Sequence, residues 1–157
     1  MRDYLRSKKL FKILSAGTKV GLSKLAATNL VTDLSTATWD DLSCSLTGIS
    51  TESTEREQIE TTSLCETYAK TYVDGLKDQD TASSDAFFNV KSPEGIALTA
   101  AAESGATHIL QVTFVDGSKW ASLARVQPFG FNASVGDTVK TTINFKLDGE
   151  PVITPSV

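Results

Sequence analysis

The sequence predicts an all-β domain with one helix: a β-sandwich or barrel of about six to eight strands flanked by a single α-helix at about 93–104. Three observations carry this. The 157 residues hold 20 Thr and 17 Ser, a load that suits strands with one solvated face better than long helices. In the last third, Val139, Thr141, Ile143, Phe145 and Leu147 alternate with Lys140, Thr142, Asn144 and Lys146, the period of a half-buried strand. Residues 93–104 carry both a helix start and a helix stop.

Charge divides the chain. Residues 1–28 hold Arg2, Arg6, Lys8, Lys9, Lys12, Lys19 and Lys24 against Asp3, while the rest is acidic and the whole chain carries −4. We read 1–28 as a basic N-terminal arm and 29–157 as one β domain. Lys8, Lys9 and Lys12 interrupt the apolar stretch that a secretory signal would need. Ser7, Leu10, Phe11 and Leu14 have the i, i+3, i+4, i+7 spacing that a short amphipathic helix would place on one side. Docking on an acidic neighbour is the favoured role, with a plain tail or a membrane or nucleic-acid contact as the alternatives. Because the strand pattern starts later, removal of 1–24 is expected to leave a folded body.

Along the body, 36–49 reads as a strand with Leu42, Cys44 and Leu46 on one face. Segment 50–66 is polar, charged and free of Gly and Pro, and reads as a long loop with a short strand at 57–64 as an option. Tyr68–Leu76 fits a strand or a helical turn ended by Gly75, and 77–80 a turn. Segment 81–91 is a strand. Ser92 caps the helix, Pro93 takes its first position, Glu94 complements its dipole and Gly105 stops it. His108–Val115 and Lys119–Gln127 form a hairpin about Asp116-Gly117. A turn around Gly136 leads to the strand at 139–147; Asp148-Gly149 reads as a further turn before a short 151–153 strand.

No catalytic constellation emerges. His108 is the only histidine and no nucleophile motif accompanies it, so a hydrogen-bonded or surface role is expected. Glu52, Glu55, Glu57 and Glu60 lack the Gly and the Asp/Asn ladder of a calcium loop. Asp40-Asp41 and Asp78/Asp80 are acid pairs of a kind any acidic chain offers. Glycine-rich phosphate loops and the nucleophile elbow are missing. Cys44 and Cys65 are read as two half-buried free thiols rather than a bridge. No cofactor, metal or catalytic residue is expected. An acidic, site-poor β domain with a basic arm and a long loop points to self-assembly, by contact between complementary surfaces of successive copies.

One stretch carries more. Glu55-Arg56-Glu57, then Thr61-Thr62-Ser63-Leu64, then Gly75-Leu76-Lys77-Asp78 are followed by Phe88-Asn89, the Pro93-Glu94-Gly95 helix start and an Asp116-Gly117-Ser118 hairpin. A strand with a Gly-x-Pro turn, Thr141–Val152, closes the series. In order and spacing this resembles the tail tube protein of long, non-contractile-tailed bacteriophages, over roughly 36–153. The resemblance implies a tail-tube-like fold in a structural virion protein, with no enzymatic activity. Six copies would form a homohexameric ring, and stacked rings a tube that serves as a conduit for the genome. It implies as partners the chain itself, a tape measure protein, tail terminator and tail-tip proteins, and genomic DNA passing without specific binding, with no membrane contact. The protein would be made in the host cytoplasm and reside in the virion tail. The expected assembly residues are Glu52, Glu55, Arg56, Glu57, Glu60, Thr61 and Thr62 in the loop, with Arg2, Arg6, Lys8, Lys9, Lys12, Lys19 and Lys24 in the arm. The basic extension exceeds the family pattern, and an appended immunoglobulin-like domain is not seen. Alternatives are a tube subunit of a type VI-like secretion or contractile injection machine, and a ligand-binding β-barrel. An acidic body lining a lumen would repel phosphates and let DNA slide.

Overall fold

The computed structural model describes residues 16–156. Nine strands and two helices appear among them, and all strand pairs are antiparallel. The strands are β1 (Lys19–Ser23), β2 (Trp39–Asp41), β3 (Ser50–Glu52), β4 (Arg56–Glu60), β5 (Tyr72–Lys77), β6 (Thr81–Phe87), β7 (Thr107–Thr113), β8 (Lys119–Val126) and β9 (Lys140–Thr154). The helices are α1 (Leu30–Leu34) and α2 (Pro93–Ser104). Seven strands form one sheet in the order β2-β1-β7-β8-β9-β6-β3, and β4 and β5 form a separate two-stranded sheet.

Alternation along the sheet sorts its side chains. On one side Val20, Leu22, Leu110, Val112, Ala124, Val126, Ile143 and Phe145 build the main core, joined by Leu98 and Ala101 of α2. The other side carries a smaller apolar cluster centred on β7 and β8, where Ile109 and Ala121 meet Ala27 and Leu30 from the α1 segment, with Trp39 of β2 and Val152 of β9 packed against them. Over β6 and β9 that second side is polar, because Thr142, Asn144 and Lys146 occupy the alternate positions and are exposed.

α2 forms as its sequence dictates. Ser92 Oγ accepts the Gly95 N–H at 3.1 Å, and Gly105 at φ 65° closes the helix by donating its N–H to the Ala101 carbonyl. A Cβ on Gly95 would lie 2.0 Å from the Asn89 carbonyl oxygen, so the first turn rests on the preceding backbone. The β7–β8 hairpin turns at Gly117, whose φ of 91° a side chain would oppose.

Four expectations are corrected. The arm does not extend to residue 28: β1 lies between β2 and β7, with Val20 and Leu22 in the core. Its polar face and Gly21 hide the alternation, and Gly21 is where Trp39 packs, 3.4 Å from the position of a Cβ. Residues 36–49 are not one strand: β2 stops at Asp41, where the Asp41 carboxylate accepts the Ser43 N–H at 3.0 Å and turns the chain, leaving Leu42 buried and Cys44 exposed. Segment 50–66 is not mainly loop: β4 falls where the optional strand at 57–64 was expected, and β3 at its start was not expected. Asp148-Gly149 does not reverse the chain: β9 runs through it, and the register slip opposite Ala121 and Leu123, with Gly149 at φ 71°, makes it a bulge. A second short helix, α1, also appears; Asn29 Oδ1 caps it by accepting the Val31 and Thr32 N–H groups.

Candidate assembly surfaces

β4 and β5 form a hairpin that stands off the main sheet, with every residue exposed except the half-buried Gly75. Ile59 pairs with Val73, and Ile59 lies across Gly75, where a Cβ would meet its Cδ1 at 3.1 Å. Polar pairs tie the two strands and the 61–71 connection. The Gln58 amide donates to Asp74, Lys70 Nζ reaches Glu60 at 3.4 Å, and Thr71 N–H donates to Thr62 Oγ1 at 3.0 Å. Thr61 N–H donates to the Thr71 carbonyl at 2.8 Å.

The hairpin is hinged on Asp80. Its carboxylate accepts Lys77 Nζ at 2.9 Å and Thr54 N–H at 2.8 Å, gathering both roots of the hairpin. The Lys77 hydrogen bond, then that of the Thr54 backbone, hold the Asp80 carboxyl below the usual aspartate value, against a small opposing effect of burial.

Six large apolar side chains are exposed on this excursion: Leu64, Tyr68, Leu76, Val73, Tyr72 and Ile59. Leu64 and Tyr68 are as open as in an extended chain. A patch of this kind on a small protein marks a protein contact. The expected loop residues all fall here or at its root: Glu52 ends β3, Glu55 links β3 to β4, Arg56, Glu57 and Glu60 lie on β4, and Thr61 and Thr62 start the connection. Glu60 is paired with Lys70, whereas Glu55, Arg56 and Glu57 form no ion pair with another described residue. Arg56 stands opposite Lys77, a like-charge pair relieved by Lys77 turning to Asp80. Sequence reasoning did not reach Tyr68, Val73 and Leu76 as surface residues; the signal was an apolar set in a segment with nothing opposite it to cover.

Of the arm residues, Arg2, Arg6, Lys8, Lys9 and Lys12 lie outside the described residues. Lys19 is exposed at the start of β1, and Lys24 approaches Asp40 at 4.0 Å. These two lysines belong to the body and flank the acidic β2 edge. β2 and β3, each three residues long, are the two edges of the main sheet. Both leave backbone groups open to a further strand.

The other chemistry on the chain is structural. His108 is buried, with Nδ1 donating to the Ser23 carbonyl at 2.9 Å, while Ser23 Oγ accepts the Ile109 N–H at 2.9 Å. Asp41 is held below the usual aspartate value by the Ser43 hydroxyl and backbone, the reverse of a proton-donating acid. Cys44 and Cys65 are free and exposed rather than half-buried. No cluster of three or more metal-ligating side chains occurs among the described residues.

Comparison with known proteins follows from this geometry. Residues 13–134 match the family model described as phage tail tube, lambda-like. The fold is similar to that of the tail of an empty gene transfer agent particle, solved with C6 symmetry, at 11% identity and a TM-score of 0.66, covering 92% of this chain and 100% of that one. It is also similar to the SPP1 tail tube, at 14% identity and a TM-score of 0.68, covering 93% of this chain and 81% of that one. The sheath–tube complex of the extracellular contractile injection system PVC gives 10% identity and a TM-score of 0.62, covering 92% of each chain. No curated protein matches the sequence.

Proposed function

The chain belongs to the lambda-like phage tail tube family, and on that premise we propose that six copies close a ring and that rings stack through the β4–β5 hairpin. It is a structural protein of the virion tail tube. The observation that carries the ring-to-ring reading is the hairpin itself, a two-stranded arm with six large exposed apolar side chains. Such a surface is costly in water and gains by burial against a neighbour. The open β2 and β3 edges support ring closure, since pairing between copies removes them.

Glu52, Glu55, Arg56, Glu57, Thr61 and Thr62 then lie at the contact between copies, where exposed charge pairs add about 0–1 kcal/mol each and the main term is apolar burial. The arm, from Arg2 to Lys12, docks on the acidic body of a neighbour. The tube holds a tape measure protein during assembly, meets terminator and tip proteins at its ends, and later passes DNA. The subunit catalyses nothing, needs no cofactor and is made in the host cytoplasm. A role in a contractile injection machine shares the fold, and the family match favours the phage tail.

Negative-stain electron microscopy of the concentrated protein tests this. Rings or striated hollow tubes are expected. Particles that remain single copies when mixed with preformed tail ends would refute it.

A further inference from the structure

β9 is paired along only half of one side. Beside β8 it runs to Thr154, whereas β6 accompanies it only from Lys140 to Lys146. Leu147 N–H still donates to the Asp80 carbonyl at 2.9 Å, and beyond it no described strand pairs with that side. A strand points alternate backbone groups to each side, so 148–154 offers a further strand a place to add. Pro151 lacks an N–H and the Asp148-Gly149 bulge twists the stretch, so the edge suits a short segment and resists a whole sheet. Ile153, 69% exposed, stands opposite Trp120 and gives the edge an apolar side.

Between this edge and the hairpin root lies a cleft of about 300 Å³, lined by Asp78, Asp80, Asp148 and Glu150 against the cation Lys77. Lys77 is bound to Asp80. The other cations of this region are already faced by acids or lie across β8. Arg56, opposite Lys77, sits between Glu55 and Glu57 in the chain. Lys146 and Arg125 stand in the row next to Asp148, and Lys119 is across from Thr154. Asp78 and Glu150 are exposed and form no ion pair with a described residue.

We propose that residues 1–15 of an adjacent copy add to this half of β9 as a short strand, with their cations over the cleft. The proposal rests on the ring-and-tube reading above and gives the arm its docking place. Charge selects the occupant. Residues 1–15 carry Arg2, Arg6, Lys8, Lys9 and Lys12 against Asp3, the opposite sign to the cleft. The acidic β2 edge is a poorer host, because Lys19 and Lys24 flank it and Lys24 lies 4.0 Å from Asp40.

Reach agrees. Lys19, Thr113, Lys119 and Thr154 form one register row, so the arm joins β1 at the level where β9 ends. β1 adjoins the β2 edge, and a next copy meeting that edge with its β3 sets its β9 four strand spacings, roughly 20 Å, from this β1. Residues 1–15 fully extended span about 50 Å, which covers that distance and leaves enough chain to lie along 148–154. This mode of addition, backbone pairing for affinity with side chains for selectivity, is a recurrent one for extended segments.

The test uses the full chain with Cys44→Ser and Cys65→Ser in every variant. Copies with Leu10→Cys and copies with Ile153→Cys, mixed and assembled, should be joined into dimers by a flexible bis-maleimide, while either variant assembled alone should not. A link formed inside free chains bearing both cysteines would place the arm on its own copy, and no link in tubes would place it elsewhere. Either result overturns the assignment and leaves the tube reading intact, whereas a native chain that forms no tubes even with preformed tail ends would overturn both. Asp78→Asn/Asp148→Asn/Glu150→Gln should raise the protein concentration needed for tubes about tenfold at low salt, as should deletion of 1–15, and the two together should add less than about twofold more. Lys8→Gln/Lys9→Gln/Lys12→Gln takes the place of the deletion if that chain forms no tubes. Fully additive effects would overturn the contact between arm and cleft. Amide exchange at Ile153 and Thr154 should be at least about tenfold slower in native tubes than in free chains, and unchanged exchange would overturn the strand pairing.

Discussion

Removing residues 1–24 separates two accounts of the N-terminus. If it is all arm, the truncated body folds normally. In the structure the cut removes β1, and with it Val20 at 5% exposure and Leu22 at 1%. Burial of two such side chains contributes about 3–6 kcal/mol. The cut also orphans the Ile109 N–H and the His108 ring, both bonded to Ser23, at about 1–3 kcal/mol each. β2 loses its strand partner, and the β7 edge is laid open. The sum, about 5–12 kcal/mol, is comparable to the whole stability of a domain, about 5–15 kcal/mol. The 1–24 deletion is therefore expected to be unfolded or nearly so. Deletion of 1–15, which precedes every described strand, should leave the urea midpoint unchanged. Tryptophan fluorescence reads both, since Trp39 packs over Gly21 of β1. A 1–24 deletion with the same midpoint as the full chain would refute the placement of β1 in the core.

Gly95→Ala should destabilise by about 1–3 kcal/mol, because the added Cβ meets the Asn89 carbonyl oxygen and overrides the roughly 1 kcal/mol gained in helix propensity; thermal melting checks this. Asp80→Asn should speed amide exchange across 56–77 at neutral pH while β7 and β9 keep their protection. Because the Asp80 value is lowered in the folded state, its contribution is present above the unfolded value of about 4 and is lost as pH falls through the folded one, so the native hairpin should loosen below about pH 4. Leu64→Ser with Leu76→Ser should leave the melting temperature of the free chain nearly unchanged, within about 0.5 kcal/mol, since both side chains are exposed, and should sharply lower tube yield in sedimentation.

The parts legible in the sequence were those whose signals are local. Ser92, Pro93 and Gly105 bound α2 without reference to the rest of the fold, and Asp116-Gly117 fixed the β7–β8 turn. The alternation from Thr141 to Leu147 marked β9 and its core side. The missed parts depend on partners distant in sequence. β1 has only Val20 and Leu22 to show and is recognisable only through its register with β7. The β4–β5 hairpin has no tight turn, since residues 61–71 separate its strands, and its apolar side chains find no cover among the described residues. Asp148-Gly149 carries a turn signature but is held as a bulge because β8 continues alongside it. The loop half of the predicted assembly set falls on one exposed excursion and its root, whereas Lys19 and Lys24 proved to be part of the body.

Cryo-electron microscopy of assembled full-length chain tests the central claim most directly. The account predicts stacked six-copy rings around an open channel, with Leu64, Tyr68 and Leu76 of each copy buried against the adjacent ring. An assembly in which the β4–β5 hairpin projects freely into solvent, untouched by any neighbouring copy, would contradict it.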